Sequence, residues 1–405
     1  MFLHRVISCS LSPNTEKDDV VLTFQAILSP WRWQSGVERE KVKAWLSDYL
    51  KVGTVLLFDS GRSAFLAILQ VFGIREGDEV IVQAFTCVAV PNSVLWVGAK
   101  PIFADIDNTL NIDSNDVEKK ITKRTKAIVV QHTFGTPANL DKLIATTKKH
   151  GLILIEDCAH SLGATYKGEK IGTFGDASFF SFGRDKVVSS VWGGAAIIND
   201  KCQMTNAKWK LRQIEEDLKY PSRFWIIQQL LHPIAFSFIL PLYDVYIGKL
   251  LLYLLQKFRL LSKPVFHEEL TGGMPKGFPA RFPNALAKLL LNQLAKLDRF
   301  NRHRQGVAQY YAEHFRKPFY SEGIYLRFPL DVTNPQERIK KAKSKGVLLG
   351  NWYHNVIDPT SVDLVVVGYS MGSCPNAEKA SRHIVNLPTL ITLSEAKYVT
   401  QQLNR

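Results

Sequence analysis

Four short stretches of this chain place reactive residue types at the ends of apolar runs. Lys186 closes Phe180-Ser181-Phe182-Gly183-Arg184-Asp185-Lys186, an apolar setting beside Arg184 in which the ammonium form is disfavoured. A neutral amine can condense with a carbonyl to a Schiff base; the plain alternative is a solvated surface lysine. Glu156-Asp157 end an apolar run at 152–155, and His160 follows. An acid there needs a partner, so a structural ion pair or a helix cap competes with a chemical role. Ser60-Gly61-Arg62-Ser63 follow a run at 55–58. N–H groups at a helix start attract phosphate, and Gly lets the backbone come close; an ordinary turn competes. Trp192-Gly193-Gly194 lead into a run at 195–198 and read first as a tight turn.

Taken together, and in that chain order, a phosphate cradle, a buried Asp and an apolar-flanked Lys are the parts that hold pyridoxal 5'-phosphate. The acid stabilises a protonated pyridine nitrogen, which makes the ring an electron sink. The lysine carries the aldehyde and moves the α-proton.

These parts need a scaffold that gathers strand ends. Between about residues 55 and 200, short apolar runs at 55–58, 79–82, 101–104, 127–130 and 152–155 alternate with helical patterns at 63–72, 88–97, 116–121 (capped by Ser114) and 139–150. Apolar runs without alternation suit strands buried on both faces. Strands alternating with helices predict a mostly parallel sheet covered on both sides, with ligands beyond the strands' carboxyl ends. A long Leu- and Ala-rich helical pattern at 284–315 follows. After it come an apolar run at 325–330, a Lys-rich helix at 335–345 and short strands at 347–349 and 364–367. This predicts a smaller α+β domain, residues 276–405, after a large domain, 1–275, with the junction in the Gly/Pro-rich 271–283.

The 405 residues are 46% hydrophobic and 22% charged, which excludes a disordered or fibrous chain. Formal net charge is +14. Residues 1–200 carry 22 basic and 22 acidic side chains, 201–350 carry 25 and 11, and 351–405 carry 4 and 4. The excess therefore lies in one stretch, and no basic-aromatic motif supports nucleic-acid binding. Cys9, Cys87, Cys158, Cys202 and Cys374 are odd in number and none has CxxC spacing, so free thiols in a reducing cytoplasm are expected, with no zinc or other metal site. The N-terminal stretch lacks the long apolar region of a signal peptide.

The chain resembles the DegT/DnrJ/StrS family of pyridoxal-phosphate-dependent sugar aminotransferases. The likeness rests on Gly73-Ile74-Arg75-Glu76-Gly77-Asp78-Glu79-Val80-Ile81-Val82, Val97-Gly98-Ala99-Lys100-Pro101, Asp105-Ile106-Asp107 and Ile121-Thr122. It continues in Arg124-Thr125-Lys126-Ala127-Ile128, His132 to Gly135, Ile155-Glu156-Asp157-Cys158-Ala159-His160 and Phe174-Gly175-Asp176. It persists more loosely through Leu294–Arg304, Cys374 to Glu378 and Asn386-Leu387-Pro388. The resemblance implies an aspartate-aminotransferase-like fold of type I with a mostly parallel seven-stranded sheet. It implies Lys186 as the Schiff-base lysine, Asp157 as the pyridine partner, His160 beside the cofactor, and Ser181 with Gly61 and the amides of Arg62 and Ser63 at the phosphate. It also implies a homodimer, glutamate as amino donor and a nucleotide-linked keto sugar as acceptor. Four positions depart from the pattern. Cys87 replaces an aromatic over the ring, Arg62 replaces Thr and could add a charge-assisted phosphate bond, Pro279 stands for an Asn near the retained Arg281, and Trp192 replaces an acid.

Three functions follow for testing: transamination of a sugar, a dehydration or other amino-group reaction on the same cofactor, or a binding protein that has lost catalysis. Family members that dehydrate tend to lack the lysine present here as Lys186. Between 219 and 263 the family pattern is interrupted by an apolar segment whose six basic residues face one acid, Asp244. Pro233, Pro241 and Asp244 are expected to break any spanning helix there. Two readings remain: a helical hairpin packed on a dimer or over the cleft, or an interfacial element of about 224–261 that touches anionic membrane.

Overall fold

The apolar runs between 55 and 200 become seven strands of one sheet in the computed structural model, which describes residues 6–243 and 245–403. The N-terminal residues 1–5 and Asp244 lie outside the described residues. The strands are β1 Val55–Phe58, β2 Glu79–Gln83, β3 Lys100–Ala104, β4 Thr125–Gln131, β5 Ile153–Asp157, β6 Ala177–Ser181 and β7 Gly194–Ile198, ordered β1-β7-β6-β5-β4-β2-β3. Only β7 runs against its neighbours; the other pairings are parallel. This is the mostly parallel α/β sheet the sequence predicts. Alternate residues of the same strand enter different cores. Leu57, Ile81, Ile128, Leu154 and Ile197 pack on one face. Leu56, Val80, Val129, Ile155 and Ala196 pack on the other.

The helices that matter for the site are α1 Lys17–Ile27, α2 Gly61–Val71, α3 Arg223–Ile239, α4 Ile247–Lys257, α5 Asn284–Leu294 and α6 Leu297–Phe315. Helix α2 leaves β1 at Ser60, whose side chain accepts the Ser63 N–H at 3.2 Å as an N-cap. The smaller core gathers Val307, Tyr311, Phe328, Leu330, Val385, Leu387 and Val399 around β8 Arg327–Asp331, paired antiparallel with β9 Ile384–Pro388.

Four local expectations are corrected. The single helix over 284–315 is two, parted at Lys296, which is drawn into a cluster with Asp18 at 2.6 Å and Asp19 at 3.0 Å. Residues 364–367 form a turn, because the Asp363 carboxylate accepts the N–H groups of Val365 and Val366 and competes with strand pairing. The helix at Ser114–Lys120 is capped by Asp113, whose carboxylate accepts the Asn115 N–H at 2.9 Å. Pro233 does not break α3. It removes one backbone bond, but the buried Ile226, Leu230, Phe236 and Ile239 hold the helix through it. Among the described residues no helix is long and apolar enough to cross a membrane.

Candidate active site

The carboxyl ends of β1, β5 and β6 open on one cavity of about 530 Å³. Its walls include Ser60, Gly61, Arg62, Cys87, Asp157, His160, Ser181 and Lys186. Of the residues singled out in the sequence, Ser63 is buried one turn inside α2. Pro279 and Arg281 do not line the cavity; Arg281 lies over the Tyr220 ring.

The cradle depends on two close approaches. A Cβ on Gly61 would sit 2.8 Å from the Ser181 Cβ, and one on Gly194 would sit 2.4 Å from the Ser60 carbonyl carbon. Only glycine lets α2 begin this near the ends of β6 and β7. Asp59, just before the turn, accepts the Ala280 N–H at 3.2 Å, and burial pushes its pKa up to about 7.

Strand alternation separates the two acids of β5. Glu156 points away from the cavity and accepts the N–H groups of Gly172, Phe174 and Gly175 at 2.7–2.9 Å, with His132 at 3.3 Å. It is structural. Asp157 faces the cavity and accepts the Ala159 N–H at 3.0 Å. Burial raises its pKa, opposed by that bond and by the charges of Lys186 and His132.

Lys186 Nζ lies 2.9 Å from His160 Nε2. Burial lowers the lysine's pKa, and Arg327 lowers it further against the pull of Cys87, Asp157 and Asp185. The cation that disfavours the ammonium is thus Arg327 rather than Arg184, which the sequence suggested. Burial, Lys186 and Arg327 hold His160 well below its usual value. With the lysine donating, the ring proton sits on Nδ1, which is buried without a hydrogen-bond partner among the described residues. His160 also stacks near Phe134, 5.9 Å between centroids, and Phe134 stacks on Tyr353 at 5.7 Å.

Two groups were missed. Arg327 opens β8, is 3% exposed and lines the cavity. Its guanidinium carbon lies 3.7 Å from the centre of the Trp352 ring, and its Nε has no hydrogen-bond partner among the described residues. The signal was available: a cation inside the apolar run at 325–330 is as conspicuous as Asp157 at the end of one. Trp352 and Tyr353 also line the cavity. They come with the bridge that pairs Thr86–Cys87 with Ile357–Asp358, so these aromatic rings approach beside Cys87.

Arg62 and Trp192, two of the departures, and Arg184 beside the lysine are all engaged by residues that overhang the cleft. Arg62 is not free for a phosphate. It forms a short ion pair with Glu269, bonds the Pro264 carbonyl at 2.9 Å and lies over the Trp192 ring at 5.1 Å. Trp192 is buried against Trp225, Phe266 and Phe278. Arg184 donates to the Ser262 carbonyl at 2.6 Å, and Ser262 donates to Gln229 at 2.7 Å. Trp192, through Trp225, and Arg184, through Ser262, hold the segment 219–263 against the cleft, and that segment adds Gln256 and Lys263 to the cavity wall.

A model of the DegT/DnrJ/EryC1/StrS aminotransferase family matches residues 14–225 and 253–404. The gap falls inside the interruption read from the sequence. L-Glutamine:2-deoxy-scyllo-inosose aminotransferase of Streptomyces kanamyceticus is 42% identical over 176 residues, 43% of this chain and 41% of that protein. GDP-perosamine synthase of Escherichia coli O157:H7 is 38% identical over 174 residues, 43% and 48% of the two chains. These matches span less than half the length of either relative. Among solved structures, DesV of S. venezuelae has a TM-score of 0.73 at 24% identity over 96% of this chain and 94% of its own. The E. coli GDP-4-keto-6-deoxy-D-mannose-3-dehydratase has a TM-score of 0.75 at 20% identity over 99% and 100%. These likenesses show the fold, the type I aminotransferase architecture with its seven-stranded sheet. With its family match running through both halves of the chain and broken only at 226–252, this protein belongs to the DegT/DnrJ/EryC1/StrS aminotransferase family.

Proposed function

We propose that this chain is a pyridoxal-phosphate-dependent aminotransferase. It would move an amino group, from glutamate, to a nucleotide-linked keto sugar for amino-sugar or cell-surface polysaccharide synthesis. The observation that carries this is the neutral-leaning Lys186 amine, 2.9 Å from His160, in the same cavity as the buried Asp157. The residues fit the cofactor. The Gly61 and Gly194 approaches leave a backbone cradle that a Cβ would fill, beside Ser181. Asp157 has one N–H on its carboxylate and a cavity on its open side, suited to a protonated ring nitrogen.

When bound, pyridoxal phosphate supplies an electrophilic carbon and an electron sink. The start of α2 and Ser181 would hold its phosphate, and Asp157 its ring nitrogen. Lys186 would provide the attachment point and carry the proton to and from the donor Cα. His160 accepts a bond from the amine and so orients it. Arg327, a buried cation across the cleft, would meet the donor's carboxylate. Retention of Lys186 favours transamination over dehydration. The reading includes a homodimer in the cytoplasm and a peripheral contact of about 224–261 with anionic membrane.

Titrating the purified holoenzyme with glutamate tests it. Loss of the visible absorbance band, restored by a nucleotide-linked keto sugar, is expected. A spectrum unmoved by glutamate and by other amino donors would sink the reading.

A further inference from the structure

Helix α4 is apolar nearly all round, a pattern that belongs to a buried helix. Its inner face is partly buried: Leu251, Leu252 and Leu255 pack on Phe236, Ile239 and Leu261. The crossing is tight, since a Cβ on Gly248 would stand 2.2 Å from the Ile239 carbonyl oxygen. The outer face is exposed. Ile247, Leu250 and Leu254, spaced three and four residues apart and so on one side, are 57%, 58% and 37% exposed, with Tyr253 beside them at 58%. Tyr246 before the helix and Phe258 after it are 73% and 67% exposed. Isolated exposed apolar residues are ordinary, but a contiguous set marks an interaction surface.

Charge identifies the partner. Every basic residue of 219–263 (Lys219, Arg223, Lys249, Lys257, Arg259 and Lys263) is answered within the segment only by Asp244. Lys249 lies 4.1 Å from the Tyr246 ring centre and Lys257 5.9 Å from that of Tyr253, so cations and aromatic bodies alternate along one edge. That combination suits the boundary between acyl chains and anionic headgroups. A second copy seated on the same face would bring like charges together, which opposes a two-fold contact.

We propose that the outer face of α4, from Tyr246 to Phe258, is the element that lies in an anionic lipid surface. The proposal deepens the membrane contact in the reading above, on which it rests, by naming the helix, the face and the ligand. Gln256 of the same helix lines the catalytic cavity, so docking by this face puts the cleft wall at the lipid boundary. An acceptor made or used at a membrane would be met there.

Flotation of the full-length holoenzyme with vesicles tests it, using phosphatidylcholine alone and phosphatidylcholine with phosphatidylglycerol. The protein is expected to float only with the anionic vesicles and to be released by salt. Lys249→Glu/Lys257→Glu/Arg259→Glu should weaken partitioning by at least about a hundredfold, since the attraction of three cations is lost. Leu250→Glu/Tyr253→Glu should abolish it with glutamate turnover unchanged. Absence of flotation by the unaltered protein overturns the membrane contact itself. Equal flotation of both variants overturns the assignment to α4. A fall in molecular mass of either variant in solution would show the face to be a subunit interface and overturn the proposal.

Discussion

Asp157, His160 and Lys186 stand in a cleft where burial holds each away from its charged form. A few residues away in space, α4 shows bare Leu250 and Tyr253 to solvent between Lys249 and Lys257. The two regions solve opposite problems. The cleft gathers polar groups inside an apolar sheet, and each needs a partner or a neutral state. The overhanging segment carries apolar groups outside, and they need a cover. Asp157, His160 and Lys186 lie in the half of the chain with balanced charge, where the family match is continuous, and the segment lies where the match stops, within the stretch of surplus charge. Of the residues at the seam, Arg62 and Trp192 are two of the positions that depart from the family pattern. What leans on the cleft from outside accounts for those two.

The sharpest way to break the contrast is at Lys186. Lys186→Ala should lower amino-group transfer by at least ~10⁴-fold, since attachment and proton transfer are lost together. Stability should hardly change, because burial opposes the charged amine. Vesicle flotation should also be unchanged. A half-reaction followed by absorbance measures the first. Residual transfer within tenfold of the parent would mean that the chemistry lies elsewhere.

Much of this cleft was legible. Buried parallel strands show as unbroken apolar runs, and Asp157, Ser181 and Lys186 stand at or near their ends. Alternation along a strand is fixed, so once Asp157 faces the cavity Glu156 must turn into the structural loop at Gly172–Gly175. The missed groups come from far along the chain. Tyr353 reaches the site through the pairing of Ile357–Asp358 with Thr86–Cys87, and no local pattern encodes that long-range pairing. The purpose of Trp192 was equally hidden. An indole in place of an acid looks like a damaged site until Trp225 and Phe266 are seen against it. Pro233 stays inside α3 for the same reason, since tertiary packing of Phe236 and Ile239 outweighs one lost backbone bond, and the helix stops at Ile239 before Pro241.

At the seam, Trp192→Ala should cost about 3–5 kcal/mol, the usual range for emptying a buried aromatic site, measured by urea unfolding. Proteolysis between 226 and 260 should accelerate before global unfolding, because Trp225 loses its anchor. If the segment stays protected and stability falls by less than about 1 kcal/mol, the segment is held by other contacts. The ion pair at Arg62 gives a finer test. Arg62→Met leaves the Glu269 carboxylate buried without its partner, which costs about 3 kcal/mol or more. Adding Glu269→Gln should recover most of that loss, since the charge and not the contact is what burial penalises. A double variant as unstable as the single one would show that the pair contributes attraction beyond its desolvation.

The smallest effect is expected at Asp59, beneath the cradle. Its pKa is raised from 3.8 to about 7 by burial, so between those values the folded protein holds a proton that the unfolded chain has released. Stability from this group is complete below about pH 4 and is lost as pH rises through 7. The shift corresponds to about 4 kcal/mol at most. Asp59→Asn cannot ionise and keeps an oxygen to accept the Ala280 N–H, at a loss of about 1–2 kcal/mol in bond quality. The cofactor-free variant should therefore be roughly 2 kcal/mol more stable than the parent at pH 8 and no more stable at pH 4. A difference that does not vary with pH would show that Asp59 keeps its ordinary acidity in the fold. The cradle's charge would then be set by the orphan amides of α2 alone, and the cleft would no longer contrast with the overhanging segment in how it treats an acid.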